Sequence, residues 1–405
     1  MYLHRIVPMK KIYLKTAGEQ IARHKTIRDI NTQVVLNYVR ARSPISRADI
    51  ARETSLQRST VSSIVDGLQA DGLIEEIGTG DSTGGRKPTL LQLRTGTPCA
   101  IGIDVTPTLT TIVVADLGGN ILEQDAFPTS SDLGYMDSQI VGKVAVLSKR
   151  YAAHELEIGM SVPGIADQST GEILYVPYFH WSNWDITRQV AKATGRRVTV
   201  DNDANAVALA ELWFGNLQIR STRNFIFVMV AEGIGTGIVI DGQVYRGEFG
   251  AAGEFGHMHV AEDAPVTCSC GRRDCWEAQA SEKAFLGRYR ANGAPPNSQS
   301  MGIGQLIDLA VNGEPRAARI LTETATYLGI GISNLIVGFS PQAVVIGGTI
   351  AKAWDLIHGE IDIYAKRSIR EGLSGTLILP SALGSTPTIL GSVSLVLAKK
   401  FASAK

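Results

Sequence analysis

A cluster of cysteines constrains the fold of this chain more than any other feature. Three of its four cysteines fall within eight residues, and His257 precedes the first of them by eleven positions. One imidazole and three thiolates can supply the four ligands of a closed, tetrahedral zinc site. The sequence therefore predicts a structural zinc ion with no ligand position left open for catalysis. The predicted ligands are His257, Cys268, Cys270 and Cys275.

Two alternatives stay open at this cluster. His259 lies two residues beyond the Glu254–His257 unit and competes for the imidazole position, and the thiols could also lie uncoordinated in a loop. Four cysteines in 405 residues do not make a disulfide scaffold. Cys99, alone in a predicted strand, is expected to be a small core residue.

The composition indicates a soluble chain with two or three domains. A hydrophobic fraction of 44% and a charged fraction of 19% over 405 residues suit a sizeable core and exclude wholesale disorder. The longest apolar stretch, 225–240, is interrupted by Glu232 and by glycines, so it does not suit a membrane span. Residues 1–19 lack the continuous apolar segment of a secretory signal. We therefore expect a cytoplasmic protein without membrane insertion.

The zero net charge hides an asymmetry between the first quarter of the chain and the rest. Residues 1–94 hold 15 Lys+Arg against 9 Asp+Glu, whereas the remainder holds 24 against 30, so that net charges of +6 and −6 cancel. A basic first quarter on an acidic body suggests that only the first quarter meets a polyanion.

Residues 26–94 have the pattern of a winged helix-turn-helix. Apolar residues spaced three and four apart over 27–38 predict a first helix. Ser46–Asp49 resembles a capping box that opens a short second helix, and an apolar stripe over 61–68 predicts a third. Two predicted strands, 73–77 and 89–93, would form the wing. A three-helix protein-interaction module with a solvated hairpin is the alternative.

The third helix would present small hydroxyls and one arginine where such helices touch base edges in the major groove. At the end of the wing, Gly84-Gly85-Arg86 would let the backbone approach DNA and an arginine enter a narrow minor groove. We therefore predict double-stranded DNA as a partner. The predicted DNA-binding residues are Gln57, Arg58, Ser59, Thr60, Ser62, Ser63, Arg86 and Lys87.

From residue 98 onward, predicted strands alternate with helices, which indicates α/β layers. Similar strand–turn–strand patterns over 99–115 and 224–240 suggest two similar halves that face a cleft. Glycine-rich turns at 233–237 and 347–348 follow strands, where backbone N–H groups could bind phosphate or another polar ligand. Asp201-Asn202-Asp203 lies between a strand and a helix, where a carboxylate suits a general base and where helix capping is the alternative.

Several of these motifs resemble those of a known family. Ser46–Ala51 and Gly84–Pro88 resemble the winged helix of the NagC/XylR class of ROK-family regulators, although Ser55, Gln57 and Ser63 replace the usual Gly, Ser and Arg. Residues 98–400 resemble a full ROK (repressor, ORF, kinase) domain of the actin-like sugar kinase superfamily, through Ser161–Ile165, the loop containing Trp181 and the zinc motif. The resemblance implies an α/β chain, with an N-terminal winged helix-turn-helix followed by a two-lobed actin-like, sugar-kinase (ROK) domain.

The resemblance also implies a sugar site and domain limits. Asp203 would be the catalytic base in a kinase relative, and His257 would bind zinc through one ring nitrogen and face the sugar with the other. The implied sugar-binding residues are Asn202, Asp203, Glu254, His257 and Glu277. The implied limits are an N-terminal extension (1–25), the winged helix (26–94), a first lobe (95–203, completed by about 385–405) and a second lobe with the zinc loop (204–384).

On the side where kinase relatives bind ATP, the chain departs from the family pattern. The kinase motif Asp-x-Gly-x-Thr is replaced by Asp104–Thr108, in which Thr106 is bulky and β-branched and Pro107 lacks a backbone donor. Glu232 would repel a triphosphate if it faced the cleft. ATP and Mg²⁺ are therefore not expected as cofactors.

These features together predict a DNA-binding transcriptional regulator that responds to a sugar or sugar phosphate. We expect a repressor of genes for carbohydrate uptake or catabolism that acts as a homodimer or homotetramer, since paired half-sites need an oligomer. Two alternatives are an ATP-dependent, glucokinase-like sugar kinase that carries a DNA-binding domain, and a regulator controlled by a protein partner instead of a sugar.

Overall fold

The chain folds into two compact units, Met1–Arg94 with Lys400–Lys405, and Thr95–Lys399. In this computed structural model the described residues are 19–80, 87–220, 222–291, 293, 301–367, 375–384 and 386–402. The wing residues Gly84, Gly85 and Arg86, for which DNA contacts were predicted, lie outside the described residues.

The first unit is a winged helix-turn-helix. Its helices are α1 (Glu19–Arg42), α2 (Arg47–Thr54) and α3 (Arg58–Ala70), and its strands are β1 (Ile45–Ser46), β2 (Ile74–Thr79) and β3 (Thr89–Leu93). The strands form one antiparallel sheet in the order β1-β3-β2. The predicted apolar stripe of α3 is confirmed, because Val61, Ile64, Val65 and Leu68 are buried.

Local signals placed α2 correctly. Ser46 precedes the helix, and its side-chain oxygen accepts the N–H of Asp49 at 3.2 Å, while its hydroxyl donates to the Asp49 carboxylate at 2.6 Å. These two bonds cap the start of α2 at the residues where the sequence predicted a capping box. Ser55, at the end of α2, has φ 59°, the left-handed conformation that usually favours glycine.

The second unit contains two five-stranded sheets of the same topology. The first has the order β11-β7-β4-β5-β6 and the second β14-β13-β12-β15-β16. In each, a central strand pairs with one antiparallel neighbour and one parallel neighbour. The predicted duplication of the two halves is therefore confirmed. The strands of the first sheet are β4 (Ala100–Val105), β5 (Leu109–Ala115), β6 (Ile121–Pro128), β7 (Glu157–Val162) and β11 (Val198–Asn202). Those of the second are β12 (Phe225–Val230), β13 (Ile234–Ile240), β14 (Gln243–Tyr245), β15 (Ala343–Gly347) and β16 (Leu377–Pro380).

Helices and a small third sheet surround the first sheet. The helices are α4 (Leu133–Arg150), α5 (Ile186–Thr194) and α13 (Pro387–Ala402), and the small sheet is β8 (Ile165–Asp167), β9 (Glu172–Val176) and β10 (Trp181–Trp184). The helix α13, from the far end of the chain, packs closely on this sheet because Gly159 carries no side chain. A Cβ atom at Gly159 would lie 1.9 Å from the carbonyl oxygen of Ser392.

The second sheet has the larger helical cover. Its helices are α6 (Asp203–Phe214), α7 (Leu217–Arg220), α8 (Trp276–Ala280), α9 (Glu282–Ala291), α10 (Ile303–Val311), α11 (Pro315–Phe339) and α12 (Trp354–Lys366). Within the described residues, α11 is the one helix long and apolar enough to cross a membrane, and 56% of its most apolar window is buried inside the unit. That burial is typical of a core helix.

Within the predicted strand–turn–strand pattern of 224–240, β13 begins at Ile234 and so includes most of the glycine-rich turn predicted at 233–237. Its two glycines are needed for contact with α6: a Cβ at Gly235 would lie 2.9 Å from the Cβ of Ala204, and one at Gly237 would lie 2.5 Å from the carbonyl oxygen of Ala204. We predicted these glycines in a turn, whereas in the structure they lie in β13 and allow a helix to approach the sheet.

Candidate functional site

The junction of β11 and α6 positions the first candidate residues. Asn202 caps α6, since its side-chain oxygen accepts the N–H groups of Ala204 (2.9 Å) and Asn205 (3.2 Å). Its amide nitrogen donates to the carbonyl of Gly164 at 3.1 Å. Helix capping, the alternative given for this segment, is therefore the role that Asn202 has in the structure. Through Gly164, Asn202 also connects the Ser161–Ile165 segment to α6.

Asp201, next to it, is a structural carboxylate that the sequence reasoning did not single out. It is 1% exposed, and its Oδ2 accepts from the guanidinium of Arg246 at 2.8 and 2.7 Å. Its Oδ1 accepts from the side chain of Asn205 at 3.2 Å. Asp201 and Arg246 lie 45 residues apart in sequence, and no sequence pattern predicts an ion pair at such a separation.

Asp203 begins α6, with its carboxylate close to other acids. Burial, and then the negative charges of Asp104 and Glu254, raise the pKa of Asp203 to about 7, although the backbone N–H of Ala204 at 2.8 Å opposes this. A carboxyl group with a pKa near 7 can accept a hydrogen bond from a hydroxyl or exchange a proton with it at neutral pH.

Glu254 and His257 lie in one short 3-10 turn that packs against β13. Gly256, within the turn, makes this possible, because a Cβ there would lie 2.2 Å from the carbonyl oxygen of Ile234. The Nε2 atom of His257 lies 3.6 Å from a carboxylate oxygen of Glu254, and its Nδ1 atom lies 3.2 Å from the Sγ of Cys268. The two nitrogens thus face different groups, a predicted metal ligand on one side and a carboxylate on the other.

The four predicted metal ligands come together. The ligand atoms of His257, Cys268, Cys270 and Cys275 all lie within 4.8 Å of one another. Consecutive sulfur atoms are close, at 3.3 Å for Cys268–Cys270 and 3.5 Å for Cys270–Cys275. Three thiols and one imidazole in such a group are a donor set that fits tetrahedral zinc.

The competing ligand His259 lies outside this group. Its Nδ1 is 3.1 Å from a carboxylate oxygen of Asp274, and its backbone pairs with Cys275 in an isolated β-bridge. The choice that the sequence left open between the two histidines therefore falls on His257.

Glu277 connects the cysteine loop to the second sheet. Its Oε1 lies 3.3 Å from the Sγ of Cys268 and accepts the N–H of Ser269 at 3.3 Å, while its Oε2 accepts the N–H of Ile234 at 3.2 Å.

Tyr178, which the sequence reasoning missed, is a neighbour across the site. Its hydroxyl would lie 3.6 Å from a Cβ on Gly233, and burial together with the charges of Glu277, Glu232 and Asp203 raises its pKa.

The segment Asp104–Thr108, which replaces the kinase motif, forms a closed hairpin turn between β4 and β5. The N–H and the hydroxyl of Thr106 both donate to the carbonyl oxygen of Leu109, at 3.0 and 2.7 Å. Asp104 is buried, and its carboxylate accepts the hydroxyls of Ser161 (2.8 Å) and Thr388 (2.6 Å). Burial raises the pKa of Asp104 to about 6.

The predicted DNA-binding positions lie in the first unit, on α3 and at the wing. Gln57, Arg58, Ser59, Ser63 and Lys87 are exposed, whereas Thr60 and Ser62 are half-buried.

Arg47, outside the predicted set, fixes the orientation of α3. Its guanidinium donates to Asp66 at 2.6 Å and to Gln69 at 2.8 Å, which joins α2 to α3.

Together, the two units define a protein that joins a DNA-binding winged helix to a sugar-kinase-like domain. The ROK family model matches residues 100–399, and a model of the MarR family matches residues 34–86. The chain belongs to the ROK family.

Relatives of the chain include both regulators and kinases. A xylose repressor of Bacillus spizizenii is 31% identical over 93% of this chain and 97% of its own length. A glucokinase of Streptomyces coelicolor is 30% identical over 73% of this chain and 96% of its own length. A crystal structure of a ROK family transcriptional regulator, a homologue of the Escherichia coli MLC protein, has a TM-score of 0.76 at 25% identity and covers 93% of this chain and 97% of its own.

Proposed function

We propose that the chain is a cytoplasmic, sugar-responsive transcriptional repressor of carbohydrate uptake or catabolism genes. The observation that carries the proposal is the combination, in one chain, of a winged helix whose third helix presents polar side chains outward and a ROK domain with a group of acids around Asp203. The similarity to a xylose repressor along nearly the whole chain supports it.

In the proposed sugar site, carboxylates accept hydrogen bonds from sugar hydroxyls. Asp203, Glu254 and Glu277 supply acceptor oxygens, and the Nε2 side of His257, which faces Glu254, adds a further polar group. Asn202 serves the site mainly by capping α6 and so holding Asp203 in place. Since each hydroxyl can donate one hydrogen bond, several fixed acceptors select a polyhydroxylated ligand.

Zinc, when bound by His257, Cys268, Cys270 and Cys275, would supply structural rigidity to the sugar site, with no ligand position left for chemistry. Contacts between side chains would transmit this rigidity to the sugar site. Glu277 contacts Cys268, and His257 contacts both Cys268 and Glu254. The loop that holds the metal therefore also positions two of the proposed sugar-binding carboxylates.

Regulation follows from two states with different operator affinity. A sugar that binds one state more tightly shifts the population toward it, and the ratio of the two affinities limits the size of the response. We propose that the repressor binds paired half-sites as a homodimer or homotetramer through Gln57, Arg58, Ser59, Thr60, Ser62, Ser63, Arg86 and Lys87.

Fluorescence anisotropy on DNA from upstream of the chain's own gene tests the proposal. At fixed salt, since phosphate contacts make affinity salt-dependent, we expect specific binding that one sugar weakens about tenfold or more. Specific binding that no sugar changes would favour control by a protein partner. ATP-dependent sugar phosphorylation that Asp203→Asn abolishes would establish the kinase alternative. Absence of specific DNA binding would count against the function proposed for the winged helix.

A further inference from the structure

Three turns of the ROK domain could offer backbone N–H groups to a phosphate, and the first is already closed on itself. The N–H of Thr106 donates to the carbonyl of Leu109 at 3.0 Å. The Thr106 hydroxyl donates to the same carbonyl and accepts the N–H of Leu109.

In the second turn, 231–234, a carboxylate of the chain takes the place of an anionic ligand. The N–H of Ala231 donates to the carbonyl of Gly233 at 2.9 Å, and the N–H of Ile234 donates to Glu277 at 3.2 Å. The Glu277 carboxylate lies so close that a Cβ at Gly233 would be 2.3 Å from its Oε2.

The third turn follows β15 and binds another internal carboxylate, Glu282. This side chain is 8% exposed, and its Oε1 accepts the N–H of Thr349 at 2.8 Å. A buried carboxyl group of the chain therefore already occupies this donor.

The charges around the site have one sign. The carboxylates of Asp104, Asp203, Glu254 and Glu277 form one acidic group in which each interacts electrostatically with at least one other, and Glu232 and Glu282 interact with each other. Tyr178 interacts with acids of both sets. In the described part of the chain, no lysine or arginine forms an ion pair with any of them. The nearby Arg246 is held by Asp201.

We propose, building on the proposed function, that the effector is an electrically neutral, non-phosphorylated sugar. Phosphate recognition in proteins relies on arginine, lysine or unsatisfied backbone N–H groups. Here four N–H groups of these turns, those of Thr106, Ala231, Ile234 and Thr349, are bonded internally, and a phosphate dianion would meet carboxylates in place of cations. Sugar hydroxyls, in contrast, find acceptors in the carboxylates of Asp203, Glu254 and Glu277.

Isothermal titration calorimetry with the full chain and three matched pairs of ligands tests this proposal. The pairs are D-glucose and glucose 6-phosphate, N-acetylglucosamine and its 6-phosphate, and D-xylose and its 5-phosphate. We expect one neutral sugar to bind at least about tenfold more tightly than its own phosphate and to weaken operator binding in parallel. The selectivity should fall as salt rises, because screening weakens charge repulsion but leaves hydroxyl hydrogen bonds.

A charge-reversal variant sharpens the test. Glu232 is exposed and acts electrostatically on both Tyr178 and Glu282, so Glu232→Lys should improve binding of the phosphorylated ligand several-fold and change binding of the neutral one less than about twofold. Glu172→Lys, at an exposed position on β9, is the matched control and should change neither.

The outcomes separate the two proposals. A sugar phosphate that binds more tightly than its neutral parent and releases the operator would overturn the neutral-sugar proposal and leave the sugar-responsive repressor standing. If none of the six ligands bound or changed operator affinity, the sugar-responsive function itself would fail, and the neutral-sugar proposal with it.

Discussion

Asp203 is the residue on which the proposed sugar site depends most. Its side chain begins α6, and its pKa of about 7 places its ionisation in the neutral range. This pKa could not be predicted from sequence, because it follows from burial and from the charges of Asp104 and Glu254, which lie 99 and 51 residues away in the chain. The position of Asp203 after a strand was, in contrast, evident from the sequence.

Sugar affinity should therefore rise with pH from about 6 to about 8. A hydroxyl donates its hydrogen bond to the ionised carboxylate, so the sugar binds best when Asp203 has lost its proton, above its pKa of about 7. Asp203→Asn should weaken binding about tenfold to a hundredfold, the value of a hydrogen bond to a charged group, and should flatten this pH dependence. Calorimetry at several pH values measures both effects, and an unchanged pH profile in the variant would assign the titration to another group.

The cysteine cluster leads to a prediction about metal content and stability. Cys275→Ser should lower the bound zinc from about one ion per chain and reduce the melting temperature by about 5 °C or more, because a structural metal adds its binding free energy to folding. Cys99→Ser is the control, since Cys99 lies outside the ligand group and should leave the zinc content unchanged. Elemental analysis and thermal unfolding provide the two readouts. Full zinc content in Cys275→Ser would contradict the ligand assignment.

At the level of elements, the sequence was informative wherever the signal was local. Three such features were recognised: the cap that Ser46 and Asp49 form on α2, the apolar stripe of α3 and the start of α6. Each depends on residues that lie within a turn or two of one another. The two-residue strand β1 was missed, because Ile45–Ser46 is extended only through its pairing with Leu91 and Leu90 of the wing. The contact of Glu282 with Thr349 spans 67 residues and carries no sequence pattern.

The helix α11 offers the same substitution in two opposite environments. A Cβ at the buried Gly331 would lie 2.0 Å from the Trp276 ring, so Gly331→Ala should lower the free energy of unfolding by about 1–3 kcal/mol. Gly338 has nothing within 4 Å, so Gly338→Ala should leave stability unchanged or raise it by up to about 1 kcal/mol. Denaturant unfolding compares the two variants, and equal effects would argue against close packing of α8 on α11.

The helix α3 should contribute to operator affinity through its exposed N-terminal half. Arg58→Ala should weaken operator binding about tenfold and reduce the slope of affinity against salt by about one, as expected for one lost phosphate contact, while sugar binding stays unchanged. Arg188→Ala removes an exposed arginine of the ROK domain as the control. Anisotropy titrations over a range of salt concentrations measure the slope. An unaltered slope in Arg58→Ala would place the DNA interface elsewhere.

At the scale of the whole molecule, the chain joins a basic DNA-binding unit to an acidic sugar-kinase-like unit. The charge asymmetry at residue 94 coincides with the boundary between the two compact units. The repeated topology of the two sheets was foreseeable from the duplicated strand–turn–strand pattern. The chemical class of the ligand, in contrast, depends on which backbone N–H groups and charged side chains already have partners within the chain. Those partners lie far apart in sequence, as for Ile234 with Glu277 and Thr349 with Glu282.

The central claim is that sugar binding in one unit and operator binding in the other are coupled. Thermodynamic linkage requires the coupling to be reciprocal: a sugar that weakens operator binding tenfold must itself bind tenfold more weakly to the operator complex. Calorimetry of the neutral sugar with and without saturating operator measures this directly. We predict a decrease in sugar affinity of about tenfold or more in the operator complex, equal to the shift seen by anisotropy. Identical sugar affinities in the two titrations would contradict the account.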